Sequence, residues 1–234
     1  MTAYNVRKEH GEQHSHPTLL SDIILGGQDG LVNVLGIILG VSAATSDVRL
    51  IFVAAFAAVG AESISMAAVA YTSTKSRLKH YIKEMEIEKM ELKEYPEIER
   101  KEVEEVLVGW GYKGKKLKEM LDLICSNKKA WLEFMMAFEL GLAPIKKSAP
   151  ARSAGIVLTA TTIGSMIPIL PFIFLSGNIH AGVIASVVLS AVILFAVGYY
   201  EAKVTLGSIW RSGMEMLIIG MSAGLAGYLI GRLL

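Results

Sequence analysis

The chain has 234 residues, of which 53% are hydrophobic and only 19% charged, whereas soluble domains carry about a quarter charged. That balance places it among membrane proteins, and six prolines, unpatterned glycines and a single cysteine, Cys125, exclude a disordered chain, a collagen-like fibre and a disulfide-stapled fold. With 23 Lys and Arg against 22 Asp and Glu the formal charge is +1, which gives no reason to expect nucleic acid as a partner, yet most of these charges crowd between Ser73 and Arg152.

Residues 1–72 read as a polar tail followed by two spans. His10, His14 and His16 in the tail are possible metal donors, although a short polar tail accounts for them equally well. Glu9 and Glu12, and the lack of a small-residue cleavage site, argue against a cleavable signal. The stretches Ile23 to Ala44 and Leu50 to Tyr71 each have about the 20 apolar residues a helix needs to cross hydrocarbon. Lys75 to Tyr95 contains neither Pro nor Gly, so the second span is expected to run on as one long helix until Pro96 ends it.

Residues 73–150 then read as a small helical domain. Glu97 to Gly109 is stopped by Gly109-Trp110-Gly111, Lys115 to Cys125 follows, and Lys128 to Leu142 closes at Gly141 and Pro144. Residues 151–234 return to apolar stretches at Ala154 to Leu175, Ile179 to Tyr200 and Met214 to Leu233. The expected fold is an all-α membrane protein: five transmembrane helices with a helical domain between the second and third. Lys75, Arg77 and Lys79 on one side of that domain and Lys146, Lys147 and Arg152 on the other put it in the cytoplasm, with the N-terminus inside as well.

Asp22, Asp29, Glu62 and Glu215 lie within or beside apolar spans, where an ionised carboxylate costs several kcal/mol unless it is paired, protonated or wet. Asp29 is the sharpest case, because Gly26-Gly27-Gln28-Asp29-Gly30 permits close helix approach or local unwinding. Glu62 and Met66 are four apart and share a helix face, offering a hard oxygen beside a soft thioether. That pairing suits ferrous iron, manganese, cobalt or zinc better than calcium or magnesium, which prefer oxygen throughout.

The charged block offers a second constellation: Glu88 and Glu91 on the long helix, Glu99 and Glu102 on the next, and Met135, Met136 and Glu139 on the last. Two antiparallel helices meeting at Pro96 would bring the glutamate pairs together as a cation cage. Spacing alone fits a solvated charged face as well, since Glu84, Glu86, Glu94, Glu97, Glu104 and Glu105 lie nearby. His80 and Glu84, an i,i+4 pair, read as an ordinary surface pair. The sequence contains no Glu-x-x-His, Cys-x-x-Cys, P-loop or nucleophile elbow, which argues against a di-iron oxidase, a zinc finger, an ATP-driven pump and a hydrolase.

Four segments together resemble the vacuolar iron transporter family: Ser21-Asp22-Ile23-Ile24-Leu25-Gly26 leading to Asp29-Gly30-Leu31, Ile64-Ser65-Met66, the dodecapeptide Trp131 to Leu142, and Ile167-Pro168-Ile169-Leu170-Pro171. The resemblance runs nearly end to end, and the dodecapeptide is its most specific part. It implies a transporter, not an enzyme, that moves ferrous iron and manganese out of the cytosol by proton antiport. It also implies no organic cofactor, a cytoplasmic three-helix metal-binding domain, and a homodimer in the lipid bilayer with the ion path between protomers.

By the same resemblance, Asp29 and Met66 belong to the membrane path, and Glu88, Glu91, Glu99, Glu102, Met135, Met136 and Glu139 to the cytoplasmic metal site. One departure stands out: some members carry a glutamate two turns before the methionine, where this chain has Ala58, and Glu62 sits one turn before it instead. A manganese-selective exporter of the same fold, and a non-transporting metal sensor or docking protein, remain open as alternatives; a ferroxidase lacks suitable histidines. The compact chain is expected in a prokaryotic plasma membrane.

Overall fold

The computed structural model describes residues 17–175, 177–205 and 207–233, so His10, His14 and His16 lie outside the described residues. Every regular element among those residues is helical. Helix α1 spans Pro17–Ala44 and α2 spans Val48–Glu94, a single run of 47 residues. Asp47 separates them, its Oδ1 accepting a 2.8 Å hydrogen bond from the Arg49 backbone N–H at the start of α2. With no Pro or Gly from Ala61 onward, nothing interrupts α2 until Glu94. Pro96, which lacks an N–H, then opens α3, Pro96–Gly109, where that missing donor is not needed.

Helix α3 ends where Gly111 takes the left-handed conformation at φ 90°. Helix α4 spans Gly114–Cys125 and α5 spans Lys128–Phe134, the latter capped by Asn127, whose side-chain oxygen accepts from the backbone N–H groups of Lys129 and Ala130 at 3.0 and 3.3 Å. The helix expected from Lys128 to Leu142 does not keep one winding: from Met135 to Glu139 it widens into a π turn and it is over by Leu140. Gly141, at φ 63°, turns the chain away.

Helices α6 (Ala149–Met166), α7 (Leu170–Phe174), α8 (Ile179–Thr205) and α9 (Ile209–Leu233) complete the chain. Among the described residues four helices, α1, α2, α8 and α9, are long and apolar enough to cross a membrane. The third apolar stretch, expected as one continuous span from Ala154 to Leu175, is split. Pro168 and Pro171 cannot donate to the carbonyls one turn earlier, so α6 stops at Met166 and only the short α7 follows. The freed carbonyl of Pro168 is satisfied from the side, where the Ser186 hydroxyl of α8 donates to it at 2.7 Å. An unsatisfied carbonyl in apolar surroundings would cost several kcal/mol.

The described helices belong to two compact units, one formed by residues 1–71 and 151–234, the other by residues 72–150. In the first, Val34, Ile38, Ile51, Ala55, Val59, Ile169 and Phe172 form the core. Helix α1 is packed by glycines on two sides. Gly27 meets Gly164 of α6, and Gly36 and Gly40 meet Gly227 and Gly231 of α9, so closely that a Cβ on Gly164, Gly227 or Gly231 would strike the facing backbone. In the second unit Val103, Leu107, Leu121, Trp131, Phe134 and Met135 form the core, and Arg100 of α3 pairs with Asp122 of α4. Trp110 sits edge-on to Phe138, with ring centroids 4.9 Å apart.

Candidate functional site

Helices α1 and α2 of the first unit leave an open groove of about 500 Å³ between them, lined by Asp29, Asn33, Ile37, Ala58, Ala61, Glu62, Ser65 and Met66. The lining follows from helical spacing. Asp29, Asn33 and Ile37 recur every four residues on α1, and Ala58, Glu62 and Met66 do the same on α2, so each triplet forms a stripe on one face. A single cavity therefore gathers Asp29, Glu62 and Met66, the three residues singled out in the apolar spans. The side-chain amide of Asn33 donates to Glu62 Oε1 across the helix pair, and the Asp29 carboxyl is close enough to Glu62 to interact with it by hydrogen bond and by charge. Glu62 Oε2 is sealed from solvent and has no hydrogen-bond partner.

Ala58 lines the same groove one turn from Glu62, so positions 58 and 62 face one cavity. Asp22 and Glu215, also flagged in the sequence, are not among the lining residues. Asn33 was missed by a search for ionisable groups because an amide carries no charge. The available signal was its place four residues after Asp29 in an otherwise apolar run.

In the second unit the glutamates of α2 and α3 converge. Glu88 is 3% exposed and Glu99 4%, unusual burial for carboxylates, and Glu88 Oε1 and Glu99 Oε2 have no hydrogen-bond partner. Burial pushes the Glu88 carboxyl up to about 8, helped by the hydrogen bond its protonated form donates to Glu99 and by the negative charges of Glu99, Glu139 and Glu91. Glu139 is raised to about 7 by burial and then by Glu102, Glu99 and Glu91. Glu102 is raised as well, again by burial first, then by Glu99, Glu91 and Glu105. Glu88, Glu91, Glu99, Glu102 and Glu139 thus form one electrostatically linked cluster. Such a cluster holds protons until a cation arrives to replace them.

Met135 and Met136, on the π turn that also bears Glu139, are 0% and 3% exposed, with Met135 built into the unit's core. Among the described residues no three His, Cys, Asp or Glu side chains close on a point as a preformed metal site. His80 and Glu84, 3.4 Å apart on the outer face of α2, are the surface pair their spacing suggested.

A model of the VIT family matches residues 20–232. The chain belongs to the VIT family. Among the relatives it resembles are Vacuolar iron transporter 1 of Arabidopsis thaliana, 34% identical across 95% of this chain and 89% of that protein, and Vacuolar iron transporter 2 of Oryza sativa subsp. japonica, 33% identical across 94% and 89%. Protein CCC1 of Saccharomyces cerevisiae is 25% identical across 93% of this chain and 70% of its own length. The resemblance read from the motifs is therefore sound across nearly the whole chain. These VIT relatives are eukaryotic and two are named for the vacuole, so they lend nothing to the expectation of a prokaryotic plasma membrane; an integral membrane protein is what the family and the four long apolar helices agree on.

Proposed function

We propose that the chain is a membrane transporter that carries ferrous iron, with manganese as a second cargo, out of the cytosol in exchange for protons. The observation that carries this reading is the groove: two carboxyl groups and a thioether, Asp29, Glu62 and Met66, meet in one cavity between apolar helices. Oxygen and sulfur donors together suit a borderline divalent metal. Two carboxyl groups in contact keep a shared proton or a cation between them in preference to two bare charges, and that alternative is the basis of exchange. The relatives named iron transporters support iron as the cargo.

In this reading residues 73–150 are the cytoplasmic domain that gathers metal, with Glu88, Glu91, Glu99, Glu102 and Glu139 as oxygen donors and Met135 and Met136 as sulfur donors. The broken pair α6 and α7 makes the third of five crossings, and the N-terminus, two crossings before residues 73–150, lies with them in the cytosol. The groove is open along one side, and a second copy of the chain laid against it would close it into a path between the protomers of a homodimer.

The test is uptake of radiolabelled ferrous iron and manganese by proteoliposomes holding the full chain, with and without an imposed pH gradient. Transport accelerated by a proton gradient directed against the metal flux is expected. Binding without flux would overturn the transporter reading, flux indifferent to the gradient would overturn the exchange, and competition between the two metals ranks the cargoes.

A further inference from the structure

We propose that Asn33 is a positioning residue of the membrane path: its amide fixes one carboxylate oxygen of Glu62 and so sets the orientation of the whole carboxyl group beside the groove. The inference rests on the transport reading above and names a residue that reading does not use. The motifs that carry the family resemblance include Asp29 and Met66 but neither Asn33 nor Glu62.

Three observations carry it. Asn33 and Glu62 come from different helices, 29 residues apart in sequence, yet the Asn33 side-chain N–H donates directly to Glu62 Oε1. Both line the groove that Asp29 and Met66 also line. The other carboxylate oxygen, Oε2, is buried and has no partner. A hydrogen bond whose only role was to pin α1 to α2 would not need to sit on the wall of a cavity beside a second carboxyl group.

The chemistry explains why an amide is suited to this place. A glutamate side chain turns about three bonds, and left alone it would swing toward or away from Asp29. An amide N–H fixes it without adding charge, whereas a Lys or Arg there would neutralise Glu62 permanently and compete with the cargo. Position 62 puts the glutamate within reach of an amide one turn along α1 from Asp29, and Ala58 leaves the neighbouring turn small. Glu62 and Asn33 therefore work as one unit.

The experiment compares ferrous iron uptake by proteoliposomes containing the full-length wild type, Asn33→Leu, Asn33→Gln, Glu62→Gln and the double variant Asn33→Leu/Glu62→Gln. Asn33→Leu keeps the branched shape and removes the donor; it should raise KM for iron roughly tenfold with the maximal rate within about twofold, the loss of one hydrogen bond to a charged group. Asn33→Gln, which retains the amide, should recover most of that loss. In the Glu62→Gln background Asn33→Leu should have no further effect, because its role runs through the Glu62 carboxylate.

An unchanged KM in Asn33→Leu, or equal and additive effects with and without Glu62, would overturn the proposal while leaving transport by the wild type intact. No uptake by the wild type would instead sink the transport reading itself. Should Asn33→Leu fail to give monodisperse protein in detergent, Asn33→Ser replaces it, with the same expected rise and the same null result counting against the proposal.

Discussion

Glu88 of α2 and Glu99 of α3 face each other across the bend at Pro96, within hydrogen-bonding reach and each almost completely sealed from solvent. Two carboxylates buried against each other repel strongly unless a proton or a cation sits with them. If metal binds there as proposed, the second unit should respond to pH and to metal together.

The sign of that response follows from the direction of the shifts. Glu88 is raised from 4.5 to about 8 and Glu139 from 4.5 to about 7. An acid raised in the folded state stabilises the fold below its ordinary value and loses that contribution as pH climbs through its folded value. The metal-free protein should therefore unfold at progressively lower temperature between pH 5 and pH 9, and saturating manganese should flatten the trend. Thermal unfolding in detergent across that range checks it.

Metal binding to this cluster should release protons, and affinity should weaken as pH falls from 8 to 6. Calorimetry of manganese binding in two buffers of different protonation enthalpy measures the release directly. Equal heats in the two buffers would show that the cluster binds without giving up protons.

Replacing Glu99 and Glu102 together by Gln should weaken metal binding at least about tenfold. It should also leave the metal-free fold as stable as before or more so above neutral pH, because two like charges are gone. Calorimetric affinity and a melting curve on the same full-length sample separate the two effects.

Asp29→Asn keeps size and hydrogen bonding but removes the carboxyl group that the proposed exchange requires. Flux in proteoliposomes should fall to background while the protein remains folded and the second unit still binds manganese. Undiminished flux would remove Asp29 from the path.

Helix packing in the first unit sets a further test. Gly164→Ala would put a methyl group on the Gly27 backbone, where no rotamer can avoid it, and should destabilise by about 1–3 kcal/mol or prevent folding. Ser186→Ala, which strands the Pro168 carbonyl, should cost less, about 1 kcal/mol, since a buried polar group finds other partners in part. Thermal unfolding ranks the two.

The long apolar runs, the uninterrupted α2 and the stop at Pro96 were legible in the sequence because length, hydropathy and the chemistry of proline decide them locally. The pairing of the glutamates was only one of two readings that the spacing allowed, since a solvated charged face has the same pattern. The split of the third apolar stretch was not foreseen: hydropathy is blind to backbone donors, and the Pro168 carbonyl left open by the break finds its donor, Ser186, on another helix. Asn33 was equally hidden, since its meaning depends on which residue of α2 lies opposite. The membership of Glu62 in the groove needed the same three-dimensional pairing.

The π turn at Met135–Glu139 bears Met135, Met136 and Glu139, three of the residues assigned to metal. A helix wound this way carries in effect one residue more than an α-helix would fit into the same length. Deleting Ala137 would let tight winding resume with the backbone on either side nearly in place, and the spacing of Met135, Met136 and Glu139 around that turn would be lost. The extra residue is thus what spreads two sulfur atoms and a carboxyl group over a single turn.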